Sequence, residues 1–209
     1  MLPQRLSSDT ADVLLFDLGR VVLDIDFGQA LDCWARHAGC APEDLAARFV
    51  RDEAYRRHEL GTISDAEYFQ SLRSALGIGI PDAAFLEGWN AIFAGEMPGI
   101  AALLARAAER LPLYAFSNTN RPHVAYFSQA YAGVLGHFEE LFLSSSIGLR
   151  KPDREAFDHV VKAIGARPER IVFFDDLAEN VEGARSCGLT AVHVTSDDDV
   201  ARALKALGI

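Results

Sequence analysis

The chain has 209 residues, of which 50% are hydrophobic and 24% charged, and its formal net charge is −10. That suits a folded globular protein with one large domain, or a core with a smaller insert, and a sizeable buried interior. The acidic balance argues against a nucleic-acid partner or an anionic membrane surface, both of which need clustered Lys and Arg, but leaves room for phosphate at one locally positive site.

The first predicted element is Val13-Leu14-Leu15-Phe16, a short apolar run rich in strand formers that reads as a buried central strand of a parallel sheet. Asp17 then sits at its carboxyl end, where open α/β sheets place their ligands. An ionised Asp against so apolar a run is costly unless a metal ion or a Lys pairs with it; a lone Asp there would more often be a helix cap. Val21 to Phe27 is again apolar, with Asp24 and Asp26 interleaved, and suggests a turn or flap. From Gly28 to about Gly95 the pattern turns helical and strand-poor. Leu31, Trp34 and Ala35 share a face; Leu45, Phe49 and Val50 form a second stripe; Tyr68, Phe69 and Leu72 form a third. Ser64-Asp65-Ala66-Glu67 has capping-box spacing, and Pro81-Asp82 opens the helix that carries Phe85, Leu86 and Trp89. Residues 28–95 are therefore expected to form a helical cap inserted into a core made of 1–27 and 96–209.

Within that cap, His58-Glu59-Leu60-Gly61 is half of a zinc-protease motif without its second His. A solvated face or cap-edge contact is the expectation for both, with a substrate-facing role as the alternative. Trp34 and Trp89 are expected in the cap's interior, stacking on a sugar being the alternative.

Pro98 opens another helix, after which strands and helices alternate. Leu113 to Phe116 reads as a strand ending in Ser117-Asn118, Leu141 to Leu143 as the next, and Ile171 to Phe174 as the most apolar, ending in Asp175-Asp176. Thr190 to Val194 is a further strand. Helices are placed near Pro122, after Lys151-Pro152-Asp153, over Ala178 to Cys187 and over Val200 to Leu207. The fold class is thus α/β, a doubly wound parallel sheet with a Rossmann-like core. The three cysteines and the histidines at 37, 123, 137, 159 and 193 show no ligand spacing, so reduced thiols in the cytoplasm are the simplest account. Met1 to Asp12 has no signal-type apolar stretch, and no run is long enough to span a bilayer.

A parallel sheet gathers its carboxyl ends on one edge, so Asp17, Ser117-Asn118 and Asp175-Asp176 can meet, with Lys151 at a helix start beside them. Carboxylates brought together repel, and a divalent cation among Asp17, Asp175 and Asp176 would relieve that cost. Oxygen ligands favour Mg²⁺, which binds beside a phosphate and keeps several waters. A hydroxyl, an amide, free backbone N–H groups and one Lys suit phosphate oxygens. The reaction these groups imply is phosphoryl transfer.

The segments FDLGRVVLD (16–24), SNTNR (117–121), LRKPD (149–153) and FFDDLAENVEGA (173–184) resemble the four ordered motifs of the haloacid dehalogenase superfamily. Residues 28–95 stand in the place of its helical cap. Within the superfamily the chain is most similar to the bacterial α-D-glucose-1-phosphate phosphatases, in FDLG-V--DIDF, in HE-G-IS (58–64) and in SNTNR. The resemblance implies a Mg²⁺-dependent phosphatase acting on a small phosphorylated metabolite, a sugar phosphate such as glucose 1-phosphate, as a monomer or homodimer. It makes Asp17 the nucleophile and a metal ligand, with the Gly19 carbonyl and Asp176 as further ligands and Asp175 either bound through water or supporting the ligands from behind. Ser117 and Asn118 would hold the phosphoryl oxygens, Lys151 would offset charge, and Asn180 stands where many members carry another acid.

Most phosphatases of the superfamily have Asp two residues after the nucleophile, as general acid and base; here that residue is Gly19. Its loss biases the expectation toward leaving groups already stabilised, or toward His58 or Glu59 as proton source. Two other readings remain: a metal-independent 2-haloacid dehalogenase, and a non-catalytic phospholigand-binding protein.

Overall fold

In the computed structural model, which describes residues 6, 7 and 10–209, the chain forms seven strands among the described residues. They are β1 (Val13–Phe16), β2 (Leu23–Ile25), β3 (Phe93–Glu96), β4 (Leu113–Ser117), β5 (Glu140–Leu143), β6 (Ile171–Asp175) and β7 (Thr190–His193). Part of the polar stretch Met1 to Asp12 lies outside the described residues. Five strands make one parallel sheet in the order β5-β4-β1-β6-β7. From β1 the chain proceeds to β4 and β5 on one side, then to β6 and β7 on the other. Strand order therefore reverses at β1, and the crevice at its carboxyl end is the place where such sheets bind ligands.

The apolar run of β1 is buried along its whole length because helices cover both faces of the sheet. Leu14 and Phe16 pack with Leu104, Phe127 and Leu204, from the helices Ile100–Ala108, Arg121–Ala130 and Asp198–Ala206. Val13 and Leu15 point the other way, toward Phe157, Val160 and Val181 of the helices Arg154–Ile164 and Ala178–Ser186. This alternation pins the register: a one-residue slip would exchange the two faces.

Between β2 and β3 lie five helices, Phe27–Ala38, Pro42–Ala46, Glu53–Glu59, Asp65–Leu76 and Asp82–Asn90, around a core of their own that includes Trp34, Tyr68, Phe85 and Trp89. The capping box at Ser64 and Glu67 forms as its spacing predicts. Two local expectations need correction. The stripe Leu45, Phe49, Val50 holds only in part: Leu45 and Phe49 pack into this core, but the helix stops at Ala46 and Val50 is 64% exposed. The segment is not followed directly by core: β3 pairs antiparallel with β2, and together they carry both connections between the helical segment and the large sheet. After β5 the residues Ser144-Ser145-Ser146 start a short helix, Ser144–Ile147.

The helical segment meets the sheet along a polar seam. Ser144 Oγ donates to the carbonyl of Glu59 at 2.7 Å and accepts from the Thr119 N–H at 2.8 Å. Trp89 Nε1 donates to Asn120 Oδ1 at 3.1 Å. Gly61, at φ +68°, lies so close that an added Cβ would stand 2.6 Å from the Ser145 carbonyl oxygen. Among the described residues no helix is long and apolar enough to cross a membrane.

Candidate active site at the carboxyl edge of the sheet

Asp17 follows the last residue of β1, Ser117 ends β4 and Asp175 ends β6, so parallel register alone brings them to one edge. Lys151 lies between the strands. Its ammonium is 3.0 Å from Asp17 Oδ1 and 2.7 Å from Asp175 Oδ2, and the residue is 1% exposed. The rings of Phe116 and Phe173 flank the Nζ at 5.3 and 5.2 Å. A buried ammonium survives only when paired, and two carboxylates from β1 and β6 provide that pairing. They hold the Lys151 pKa above its ordinary value even though burial pulls it down.

Asn118 has a role that sequence reasoning missed. Its side chain accepts from the Lys151 N–H and donates to the Lys151 carbonyl, both at 2.9 Å. Both ends of the amide are therefore engaged in fixing residue 151. The Ser117 hydroxyl, in contrast, lines the cavity and makes no side-chain hydrogen bond with the described residues.

The three acids differ in what they have left to offer. Asp175 is fully buried and engaged at both oxygens: Oδ1 accepts from the Leu177 N–H and from Asn180 Nδ2, Oδ2 from Lys151 and Asn180. Asp17 Oδ1 takes the Leu18 N–H at 2.7 Å as well as Lys151, while Oδ2 has no partner among the described residues. Asp176 has only a distant ion pair, 3.7 Å from Arg20 Nε. Each of the three places a carboxylate oxygen within 4.8 Å of the others. Burial, and then the neighbouring carboxylates of Asp175 and Asp176, push Asp17 up to about 7 against the pull of Lys151. Burial and Asp175 raise Asp176 too.

One ammonium does not neutralise three acids, so the cluster suits a hard divalent cation. The donor set fits Mg²⁺: Asp17 and Asp176 have free oxygens, the Gly19 carbonyl takes no backbone hydrogen bond, and the buried Asn180 Oδ1 has no donor. Asp175 is committed to orienting its neighbours.

A cavity of about 1120 Å³ opens between this edge and the cap. Asp17, Gly19, Ser117, Asn118, Lys151 and Asp176 line it, and Asp175 lies behind them. Opposite stand Arg51, Tyr55 and Glu59, beside an apolar wall of Ile25, Phe27 and Phe93. The Arg51 guanidinium lies 4.7 Å from the Phe27 ring centroid. Glu59 is buried rather than solvated, and its carboxylate pairs with Arg150 at 2.9 Å. Burial holds its pKa above the ordinary value despite that arginine.

His58 is neither solvated nor at the cleft. It is 2% exposed, stacks on Tyr68 at 4.4 Å and bonds Asp65 at 2.8 Å inside the cap, where burial lowers its pKa. Adjacent helical residues point about 100° apart, so one member of the His58-Glu59 pair turns inward when the other faces the cleft. His123 was also passed over. Buried among Asn120, Trp89 and Phe93, its pKa is pushed down to about 3, and it lines the cleft as a neutral ring.

Residues 11–188 match the haloacid dehalogenase-like hydrolase family. A phosphatase of Mycobacterium tuberculosis is 28% identical over 208 residues, covering 93% of this chain and 94% of the relative. A D-ribitol-5-phosphate phosphatase of Bacteroides thetaiotaomicron is 22% identical, covering 84% and 87%. A drimenol cyclase of Aspergillus calidoustus is 28% identical over 207 residues, but the chain spans only 35% of its length. Among solved structures, a HAD-family enzyme of Bacteroides thetaiotaomicron in complex with magnesium and inorganic phosphate superposes with a TM-score of 0.77 at 24% identity, over 88% of this chain and 93% of that one, and shares its fold. With the family match extending from β1 through β6 and the acids and lysine gathered at one sheet edge, the chain belongs to the haloacid dehalogenase-like hydrolases.

Proposed function

We propose that this chain is a Mg²⁺-dependent phosphatase that hydrolyses a small phosphorylated metabolite through a covalent intermediate on Asp17. The observation that carries this reading is Lys151 clamped between Asp17 and Asp175 beside an open cavity, with Asp17 Oδ2 unpartnered among the described residues and Asp176 paired at 3.7 Å with the exposed Arg20. An Asp17 oxygen attacks phosphorus as the bond to the leaving oxygen breaks, forming an aspartyl-phosphate. Water then attacks that phosphorus, the bond to Asp17 breaks, and phosphate leaves. The Ser117 hydroxyl and the Asn118 backbone N–H bind phosphoryl oxygens, and the Lys151 ammonium stabilises charge on them. Held by Asp17, Asp176 and the Gly19 carbonyl, with Asp175 behind, Mg²⁺ supplies charge neutralisation at the transferring group.

No carboxylic acid follows Asp17 at position 19, so the leaving oxygen must depart with little help. A sugar phosphate with a stabilised leaving group fits that constraint, and glucose 1-phosphate is the candidate the sequence resemblance suggests; D-ribitol 5-phosphate, named for one relative, is the comparison substrate. Of the two cap groups considered as an alternative proton source, Glu59 lines the cavity but is paired with Arg150, and His58 lies inside the cap. Three free cysteines support a reducing, cytoplasmic setting, with the chain as monomer or homodimer.

A panel of sugar phosphates and acyl phosphates, assayed with Mg²⁺ and with chelator, tests the reading. Phosphate release that needs Mg²⁺ is expected. Turnover of 2-haloacids without metal would instead mark a dehalogenase, and phosphate binding without turnover a binding protein.

A further inference from the structure

We propose that Cys33, His37 and Glu87 form a binding site for a zinc-type transition-metal ion on the outer flank of the cap. The site is separate from the carboxylate cluster and does not depend on the phosphatase reading. Cys33 and His37 are four residues apart on the helix Phe27–Ala38, hence on one face. Glu87 comes from the neighbouring helix Asp82–Asn90. A thiol sulfur, an imidazole nitrogen and a carboxylate oxygen from the three lie within 4.8 Å of one another, and His37 Nε2 is 3.4 Å from Glu87 Oε2. Tetrahedral zinc, with bonds of roughly 2.0–2.3 Å, holds its ligand atoms about 3.3–3.8 Å apart. Small side-chain rotations of the exposed His37 and Glu87 close the difference.

The scaffold beneath these ligands is rigid. Cys33 is 2% exposed and forms the floor. Next to it, Trp34 packs so tightly on the facing helix that a Cβ at Gly88 would stand 2.2 Å from its Nε1. That Nε1 donates to the Phe85 carbonyl at 2.9 Å, and the Trp34 ring stacks on Phe85. Both contacts flank the ligands, so the spacing of the two helices is set before a metal arrives. The solvent side stays open for water as a fourth ligand.

A thiolate with an imidazole selects zinc, cobalt and similar ions over Mg²⁺, which prefers oxygen. Burial and the Glu87 carboxylate hold the Cys33 thiol above its ordinary pKa, with Arg36 pulling the other way. Metal binding must displace that proton, so the Cys33 sulfur–hydrogen bond is exchanged for a sulfur–metal bond and one proton passes to solvent. Cys33 and His37 were passed over in the sequence because their third partner lies on another helix, far along the chain.

The test is a Co²⁺ titration of the full chain in excess Mg²⁺, which occupies the oxygen-rich cluster. One equivalent should bring up a thiolate-to-cobalt charge-transfer band together with the visible bands of tetrahedral cobalt, and Zn²⁺ should bleach both. Loss of a second-shell partner commonly costs about 10–100-fold in metal affinity, so C33S, H37A and E87Q should each cost at least that. C40S and C187S should keep the band. Absence of the band in the wild-type chain, or its persistence in C33S, would overturn the site. Should C33S fail to fold, unchanged cobalt affinity in H37A and E87Q, both at exposed positions, would overturn it equally.

Discussion

At the sheet edge, Lys151 and Asp175 are buried, and every polar atom of the Asp175 carboxylate and the Asn118 amide has a protein partner. Across the cavity, the seam between cap and core combines buried bonds, from Ser144 Oγ to the Glu59 carbonyl and from Trp89 Nε1 to Asn120, with the largely shielded pair Glu59–Arg150 and with Arg56–Asp153, whose side chains are both about half exposed. The first region is a preset charge arrangement in which no group can leave without stranding another. The second is held in part by buried groups as well, and Arg56–Asp153 is the pair in it that can trade its partner for water at modest cost. The contrast is one of freedom to relax: the sheet edge is fixed at every polar group, the seam only at some of them.

The sharpest way to break this contrast is Asp17→Asn. It removes the attacking oxygen yet keeps a side chain of the same size beside Lys151, so turnover should fall by roughly 10⁴-fold or more while inorganic phosphate still binds. Phosphate-release kinetics with parallel calorimetry would read both. Next in size is Gly19→Asp. Gly19 is not among the left-handed glycines, and its added Cβ would meet Ile25 Cγ1 at an ordinary 3.5 Å, so the acid fits. Rates on esters with poor leaving groups should rise on the order of 10²-fold, flattening the dependence on leaving-group pKa.

Asn118→Ala separates positioning from chemistry at the rigid edge. Without the amide, the Lys151 N–H and carbonyl lose their partners, which should cost about 2 kcal/mol in a denaturant titration. The rate should drop with little change in KM, because the ammonium is misplaced rather than removed. The smallest effect belongs to the cap joint. Glu59→Gln removes the charge from a largely buried pair with Arg150 while keeping its shape, and should cost about 1–3 kcal/mol in stability, with KM moving more than kcat and turnover changing least of the four variants. A collapse of kcat in that variant would relocate part of the chemistry to the cap.

Much of the site was legible because backbone periodicity carries it. The apolar runs at 13–16 and 171–174 could only be buried strands, and a parallel arrangement then puts Asp17, Ser117 and the 175–176 pair on one edge. The division of labour between Asp175 and Asp176 depends instead on the turn after β6, where Leu177 and Asn180 close on Asp175. The part that the Asn118 side chain plays in holding residue 151 was not legible, because that partner lies far along the chain and no local pattern announces it. His58 misled for a similar reason: a polar side chain on a short helix reads as solvated unless Tyr68 and Asp65 are known to receive it. The β2–β3 pair escaped notice because Phe93-Ala94-Gly95-Glu96 carries one large apolar side chain in four residues.

Gly61 has a bearing on how wide the mouth of the molecule can be. Its missing side chain lets the lip of the cap rest against the Ser145 carbonyl, and even one methyl group there would act as a doorstop. The distance at which the cap seats on the core is thereby tied to a single hydrogen in place of a carbon.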